Sequence, residues 1–278
     1  MRHWSTSFLV ALRFTLLGHV NNRLALLMGA VFNPGWVWVI GVCVPQTPLT
    51  FRLGVLDLRI STDISHSMQI TSSLPGAASV IGFMMFMAAF KARDMDERLI
   101  LAGYSRTALT LARLLAMALV AAALATQVTV LLRLASGAPQ LAVLWLAAFS
   151  AALAYGGIGT MLGTLMRTEL SGMFSVLAFI FMELTLQNPL TNPSADQDWL
   201  ILLPLYGPAQ TATAAVFTHT GPGVGLAALG LVWCAATTAA AATVLYVRTR
   251  AYHRHPAPAE IVVPASRHAP QLPGKASK

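Results

Sequence analysis

Six apolar stretches, 24–44, 71–90, 114–132, 141–166, 170–187 and 224–247, hold a single formally charged side chain between them, Glu183. This feature constrains the fold more than any other. A helix that crosses a bilayer needs about 20 mostly apolar residues, and every stretch meets or approaches that length. A helix on a water-soluble core shows a polar face at each turn, and these runs show none. Backbone amides in hydrocarbon must be satisfied within the segment itself, so the stretches are read as α-helices. Composition agrees: the chain is 56% hydrophobic and 10% charged, whereas a soluble domain carries about 25% charged residues. The expected fold class is an all-α polytopic membrane protein with six transmembrane helices in a lipid bilayer.

The net charge of +8 and pI near 10.2 would suit nucleic acid in a soluble chain. Here the basic residues lie between the apolar runs and at the ends, with no zinc-finger spacing and no aromatic-rich single-strand motif. Membrane topology accounts for them, and no nucleic-acid partner is expected. Six spans place fifteen of the 18 lysines and arginines on one side and only Arg52, Arg59 and Arg133 on the other. Positive charge collects on the cytoplasmic side. The expectation is therefore a multi-pass protein of the cell membrane, with both termini cytoplasmic and 45–70, 133–140 and 188–223 outside.

Several segments have a character of their own. In 1–23, Trp4, Phe8, Leu12, Leu16 and Val20 recur every four residues among Arg2, Arg13 and Arg23. That pattern predicts an amphipathic helix lying in the membrane interface, the alternative being an extended start of the first span. Asn33-Pro34 should kink the first span. Tyr155-Gly156-Gly157, Gly159 and Gly163 predict a close helix–helix contact, because small residues let backbones approach. Residues 200–217 are apolar but broken by Pro204, Gly207 and Pro208; they read as an outer re-entrant or interfacial helical segment before the last span. The tail 251–278, rich in proline and basic residues, reads as disordered. Cys43 and Cys234 lie inside predicted spans and read as small apolar filler. His253 and His255 are weak evidence for a metal, and no metal site is expected.

Chemistry has few footholds. There is no phosphate-binding GxxxxGK[ST], HExxH, GxSxG or CxxC pattern, and no catalytic residue is assigned. Glu183 is costly in a bilayer and must face protein or water; Gln187, four residues on, shares its helical face. The two are expected to line a substrate path or to contact the broken outer segment, the alternative being that Glu183 snorkels to the outer membrane interface. Gln127 is read as an interhelical hydrogen bond. The densest charge cluster is KARDMDERLILAGYSRTALTLAR, 91–113. Asp94, Asp96, Glu97 and Arg98 suit a helix start, while Met95, Leu99 and Ala102 share one face. A short helix over 94–103 on the cytoplasmic surface is expected, with a Gly103–Arg106 turn into the third span. Three acids among the basics exceed what charge sidedness requires and suggest a surface for a partner.

The block ERLILAGYSRTALTLARLLA, 97–116, resembles the loop between the second and third spans of type-2 ATP-binding cassette exporter permeases, which include bacterial drug-resistance and polysaccharide-export permeases. The resemblance rests on Glu97-Arg98, Leu99 and Leu101, Ser105-Arg106, and Arg113-Leu114-Leu115-Ala116. GTLMRTELSGMF, 163–174, resembles the turn between the fourth and fifth spans of the same family. Leu99-Ile100 and Tyr104 depart from its usual pattern. The resemblance implies a permease subunit without its own ATPase site. It would be paired as a homo- or heterodimer with a second permease and served by two separate cytoplasmic ATPase subunits that bind ATP and Mg. The helix 94–103 would then be the coupling helix, with Asp94, Met95, Asp96, Glu97, Arg98, Leu99, Tyr104 and Arg106 contacting the ATPase. A stand-alone secondary transporter or channel is the alternative; it would usually need several ionisable residues near mid-membrane, and the chain shows one carboxylate there.

Overall fold

The computed structural model describes residues 2–53, 58–188, 192, 195, 197–219 and 224–254. Most of the expected tail, 255–278, lies outside them. Helix α1 (Arg2–Asn21) leads into α2 (Arg23–Leu27), a π-helical turn (Met28–Phe32) and α3 (Asn33–Cys43). Strands β1 (Pro48–Leu53) and β2 (Leu58–Asp63) follow, then α4 (Ile64–Leu101), α5 (Arg106–Ser136), α6 (Leu141–Leu165) and α7 (Glu169–Gln187). A 3-10 turn (Asp198–Leu202), α8 (Tyr206–Phe217) and α9 (Ala228–Arg254) complete the described chain. Among the described residues, six helices are long and apolar enough to cross a bilayer: Ala25–Cys43, α4, α5, α6, α7 and Ala228–Arg250. They coincide with the six apolar stretches.

Helix boundaries follow local chemistry. Ser105 caps α5 by accepting from the Ala108 N–H, and Thr168 caps α7 by accepting from Ser171 N–H, the usual role of a hydroxyl before a first turn. Gly137 ends α5 at φ +67, a left-handed conformation open to glycine. Arg133 donates to the Gly137 and Ala138 carbonyls, both at 2.9 Å, which fixes one of the three arginines expected outside as a C-terminal clamp. In the first span a π-turn immediately precedes Asn33-Pro34, with Pro34 in the first turn of α3. The Gly29 carbonyl within that turn accepts from Gln127 Nε2 at 2.8 Å, the interhelical bond anticipated for Gln127.

Two features depart from the sequence reading. First, α4 is one 38-residue helix, with no separate helix starting at Asp94. Between Gly82 and Gly103 the sequence has no glycine or proline, and KARDMDERLIL is built largely of good helix formers, so nothing stops the helix. Second, the fold is not wholly helical: β1 and β2 pair antiparallel, with Phe51 opposite Ile60 and Leu53 opposite Leu58. Leu53 and Ile60 are buried against Ala214 of α8, with Phe51 edge-on to Phe217. Helix α1, over the segment expected to form an amphipathic helix, packs along α5. Its Ala11 joins Ile100, Leu109 and Ala112 in a small core with Phe8, Leu12 and Tyr104 at its edge.

The main core sits around α6, which packs on α4, α9, α5 and α8. Tyr155, Ala147 and Ala154 on α6 have no exposed surface, nor do Phe86 and Ile81 on α4. The α4–α6 contact is backbone on backbone. A Cβ placed on Gly159 would strike the Gly82 carbonyl and approach Phe86 N, and one on Gly163 would meet the Phe86 carbonyl and the Ala89 methyl at 2.7 Å. Gly157 meets Cys234 and Thr237 on α9 in the same way. Gly159→Ala is expected to lower stability by about 1–3 kcal/mol, the usual cost of overpacking. Gly18→Ala, with nothing within 4 Å of its new methyl, should be neutral or stabilising by helix propensity. Thermal unfolding of both variants in detergent checks the contrast; equal midpoints would contradict the close approach.

Candidate functional site

Two places combine polar side chains with a surface or cavity. One is the elbow where α4 turns into α5. Gly103 adopts φ +92, which lets the Tyr104 N–H reach back to the Leu99 carbonyl at 2.9 Å. The elbow is tied down from several directions. Asp96 is buried at 4% exposure and receives both guanidinium nitrogens of Arg113 on α5, with Nη2 on Oδ1 at 2.5 Å. Glu97 faces Arg248 of α9 at 3.8 Å, a partly exposed pair worth little by itself. The Tyr104 hydroxyl donates to the Ser7 carbonyl of α1. Trp4 Nε1 donates to Thr107 Oγ1 at 3.1 Å, and the Arg106 guanidinium lies 5.3 Å from the Tyr246 ring centre.

These ties divide the residues expected to meet a partner. Asp96, Glu97, Tyr104 and Arg106 are engaged within the chain, and Leu99 is half-buried. Asp94, Met95, Arg98 and Leu101 are exposed at helical spacing on one side of α4. Met95 is 59% exposed and Leu101 41%, so an apolar strip with an acid and a base beside it is left at the tip. Sequence spacing placed Met95 with Leu99 and Ala102; Ala102 is exposed beside Met95, Leu99 is half-buried, and Leu101 adds to the exposed strip. Arg248, the anchor of Glu97, was not singled out in the sequence, and Arg113 was named there only within the block that resembles permease loops, not as the anchor of Asp96, because both read as ordinary positive charges flanking apolar runs.

The second place lies at the opposite end of α4, beside the hairpin. Glu183 of α7 is 1% exposed. Its Oε1 accepts from the Tyr155 hydroxyl at 2.6 Å, and its Oε2 accepts from Gln187 Nε2 at 2.9 Å and from the Leu205 N–H at 2.7 Å. Leu205 immediately precedes α8, so Glu183 joins α6 and α7 to the broken segment through one carboxylate. Gln187 holds Glu183 from the same helix face, as their four-residue spacing required. A cavity of about 60 Å³ opens here between the hairpin, α4, α7 and α8. Glu183, Gln187 and Arg52 line it, together with Gln210, whose Oε1 is buried with no hydrogen-bond partner among the described residues. Tyr155 and Gln210 had no signal in the sequence beyond their polar ends within apolar runs.

Among the described residues no three His, Cys, Asp or Glu side chains converge as a metal site. No protein-family model and no curated protein matches the chain.

His19, on α1 near the elbow, is 7% exposed and its Nε2 lacks a partner among the described residues. Burial, and then the nearby Arg113 charge, hold its imidazole below the ordinary value of 6.5. The unfolded chain then binds more protons than the folded one below that value, so stability falls as pH drops through 6.5. His19→Gln is expected to flatten the decline in unfolding midpoint between about pH 7.5 and 5.5. A decline identical to that of the unaltered chain would show that His19 is not its source.

Proposed function

We propose that this chain is the membrane-spanning permease subunit of an ATP-binding cassette exporter. It would move a hydrophobic or amphipathic substrate out of the cell with energy from ATP hydrolysed by separate subunits. The observation that carries this reading is the exposed strip of Asp94, Met95, Arg98 and Leu101 on a firmly braced elbow. A docking contact needs apolar area for affinity and flanking charge for register, and this strip supplies both. The bracing matters equally. Asp96–Arg113, Glu97–Arg248 and the Tyr104 and Trp4 bonds to and from α1 couple the elbow to α5, α9 and α1, so a push on the strip moves several helices together.

In this reading the six apolar helices cross the cell membrane, and the elbow, α1 and the C-terminal end of α9 lie on the cytoplasmic side with most of the basic residues. Two cytoplasmic ATPase subunits bind ATP and Mg and seat the elbow of each of two permeases, identical or paralogous. Their ATP-driven closure rocks the α4–α6 body and alternates access to the path. The coupling contact is Asp94, Met95, Arg98 and Leu101, while Asp96, Glu97, Tyr104 and Arg106 hold the elbow in shape and Leu99 lies half-buried at its edge. Glu183 and Gln187 stand at the outer end of the substrate path, where they set the position of α8. The resemblance of residues 97–116 to permease coupling loops supports the same assignment.

Affinity purification of the tagged full chain from native membranes is expected to recover a soluble ATPase. Met95→Ala together with Arg98→Ala should reduce that recovery by about tenfold, a loss of about 1.4 kcal/mol of binding, with the unfolding midpoint unchanged. Undiminished recovery in the double variant, or recovery of the chain alone with ion-driven flux intact, would overturn the proposal in favour of a stand-alone transporter.

A further inference from the structure

Two arginines near the elbow share one aromatic ring. The guanidinium of Arg106, the first residue of α5, lies 5.3 Å from the Tyr246 ring centre. That of Arg250, four residues after Tyr246 on α9, lies 4.9 Å from the same centre. A ring face attracts a cation, but it carries no net charge to neutralise one. The acids of the elbow are committed elsewhere: Asp94 faces Arg93 at 3.6 Å, Asp96 is held by Arg113, and Glu97 faces Arg248. Among the described residues, neither Arg106 nor Arg250 forms an ion pair with a carboxylate. Arg250 and Tyr246 are exposed and Arg106 is half-buried, so the cluster is open to a ligand from outside the chain.

Two like charges gathered at one neutral ring repel each other, and an anion at the ring edge relieves that repulsion. Guanidinium groups suit phosphate oxygens, which they meet through paired N–H donors. The surroundings say which kind of phosphate. Thr107, next to Arg106, accepts from Trp4 Nε1 at 3.1 Å, and Trp4 is 41% exposed. Exposed tryptophan marks the headgroup level of a bilayer. From that level Leu111 and Leu115 continue at four-residue spacing along the exposed side of α5, and Leu9 and Phe14 are exposed on α1, which packs along α5. A phosphate at the two arginines is therefore adjoined by apolar surface of the kind that acyl chains cover.

We propose that Arg106, Tyr246 and Arg250 form a headgroup site for an anionic phospholipid of the leaflet on the elbow side. The phosphate lies between the two guanidiniums at the ring edge, and the acyl chains cover the apolar sides of α5 and α1. A choline or ethanolamine lipid brings its own ammonium, which the arginines repel; an anionic lipid leaves the phosphate charge uncompensated for them. Occupancy ties α9 to the start of α5, which adds the lipid to the bracing of the elbow. The site requires that the chain span a membrane but needs no ATPase, so the exporter reading can fail without affecting it.

The test uses the full chain in a neutral maltoside detergent, with lipid binding followed by native mass spectrometry. Dioctanoyl phosphatidylglycerol is expected to bind at least about tenfold more tightly than dioctanoyl phosphatidylcholine. Arg106→Gln together with Arg250→Gln should bring it down to the level of the choline lipid. Arg13→Gln together with Arg23→Gln removes the same charge from exposed positions on α1 and α2 and should leave the preference unchanged, which a general attraction of basic residues to anionic lipid does not allow. Tyr246→Leu keeps both charges but releases them from the ring, so binding of the glycerol lipid should fall several-fold. Equal binding of the two lipids would overturn the proposal, as would equal losses in the two double variants. Displacement of the lipid by inorganic phosphate as effectively as by phosphatidylglycerol itself would assign the cluster to a free anion and sink the lipid site. If the Arg106 variant does not fold, Arg250→Gln alone, at an exposed position, still decides the matter.

Discussion

The contact on which the rest of this structure depends is the backbone-on-backbone approach of α4 and α6. Two apolar helices gain little from each other in lipid by the hydrophobic effect, because hydrocarbon is an equally good neighbour; close van der Waals packing has to hold them. Gly159 and Gly163 allow α6 to lie against the Gly82–Ala89 stretch of α4 with no side chain between the backbones. The same approach places Tyr155 beside Gly82 and Val176, so that its hydroxyl reaches Glu183 on α7. A wider α4–α6 spacing would withdraw that donor and leave the carboxylate less well satisfied. Packing in the core and satisfaction of the buried charge are thus parts of one arrangement.

Helix α4 gives the arrangement its reach. Its 38 residues extend about 57 Å at 1.5 Å per residue, well beyond the roughly 30 Å hydrocarbon thickness of a bilayer. One end lines the cavity beside the hairpin, and the other carries the exposed strip of the elbow. Because no break separates them, a displacement at the elbow is transmitted along a single rod braced by α6. Pro75 is the exception: it lacks an N–H, so the Thr71 carbonyl loses its helical partner, and this weak point sits next to the cavity wall. Asn33 approaches the helix at Gly76, and neither of its side-chain polar atoms has a partner among the described residues. Pro75 and Asn33 thus bring two polar flaws close together where α3 meets α4.

Much of the architecture was legible because lipid imposes simple demands. Uninterrupted apolar runs of spanning length located all six long helices, and the glycines of α6 announced a close contact before its partner was known. The rigid 94–101 extension was misread as a separate helix. Acidic residues at Asp94–Glu97 imitate a helix start, although helix formers on both sides carry the helix straight through. The hairpin was missed because PLTFRL and LRISTD are short and lie in a segment assigned to the exterior by charge alone; their burial depends on α8, which is distant in sequence. Asp96 looked like a surface acid for the same reason, since its anchor, Arg113, is on the next helix. The Glu183–Gln187 pairing was local and could be read from four-residue spacing, whereas Tyr155, Leu205 and Gln210 reach the site only through tertiary packing.

The functional account requires α4 to cross a membrane, with its elbow and its hairpin end on opposite sides. The most direct measurement labels single cysteines at the two ends with a membrane-impermeant maleimide, after Cys43 and Cys234, the two free cysteines, have been replaced by alanine. Met95→Cys at the elbow should react only once the cell membrane is permeabilised, and Ser61→Cys on β2 should react in intact cells. Labelling of both positions in intact cells, or protection of both, would contradict the account.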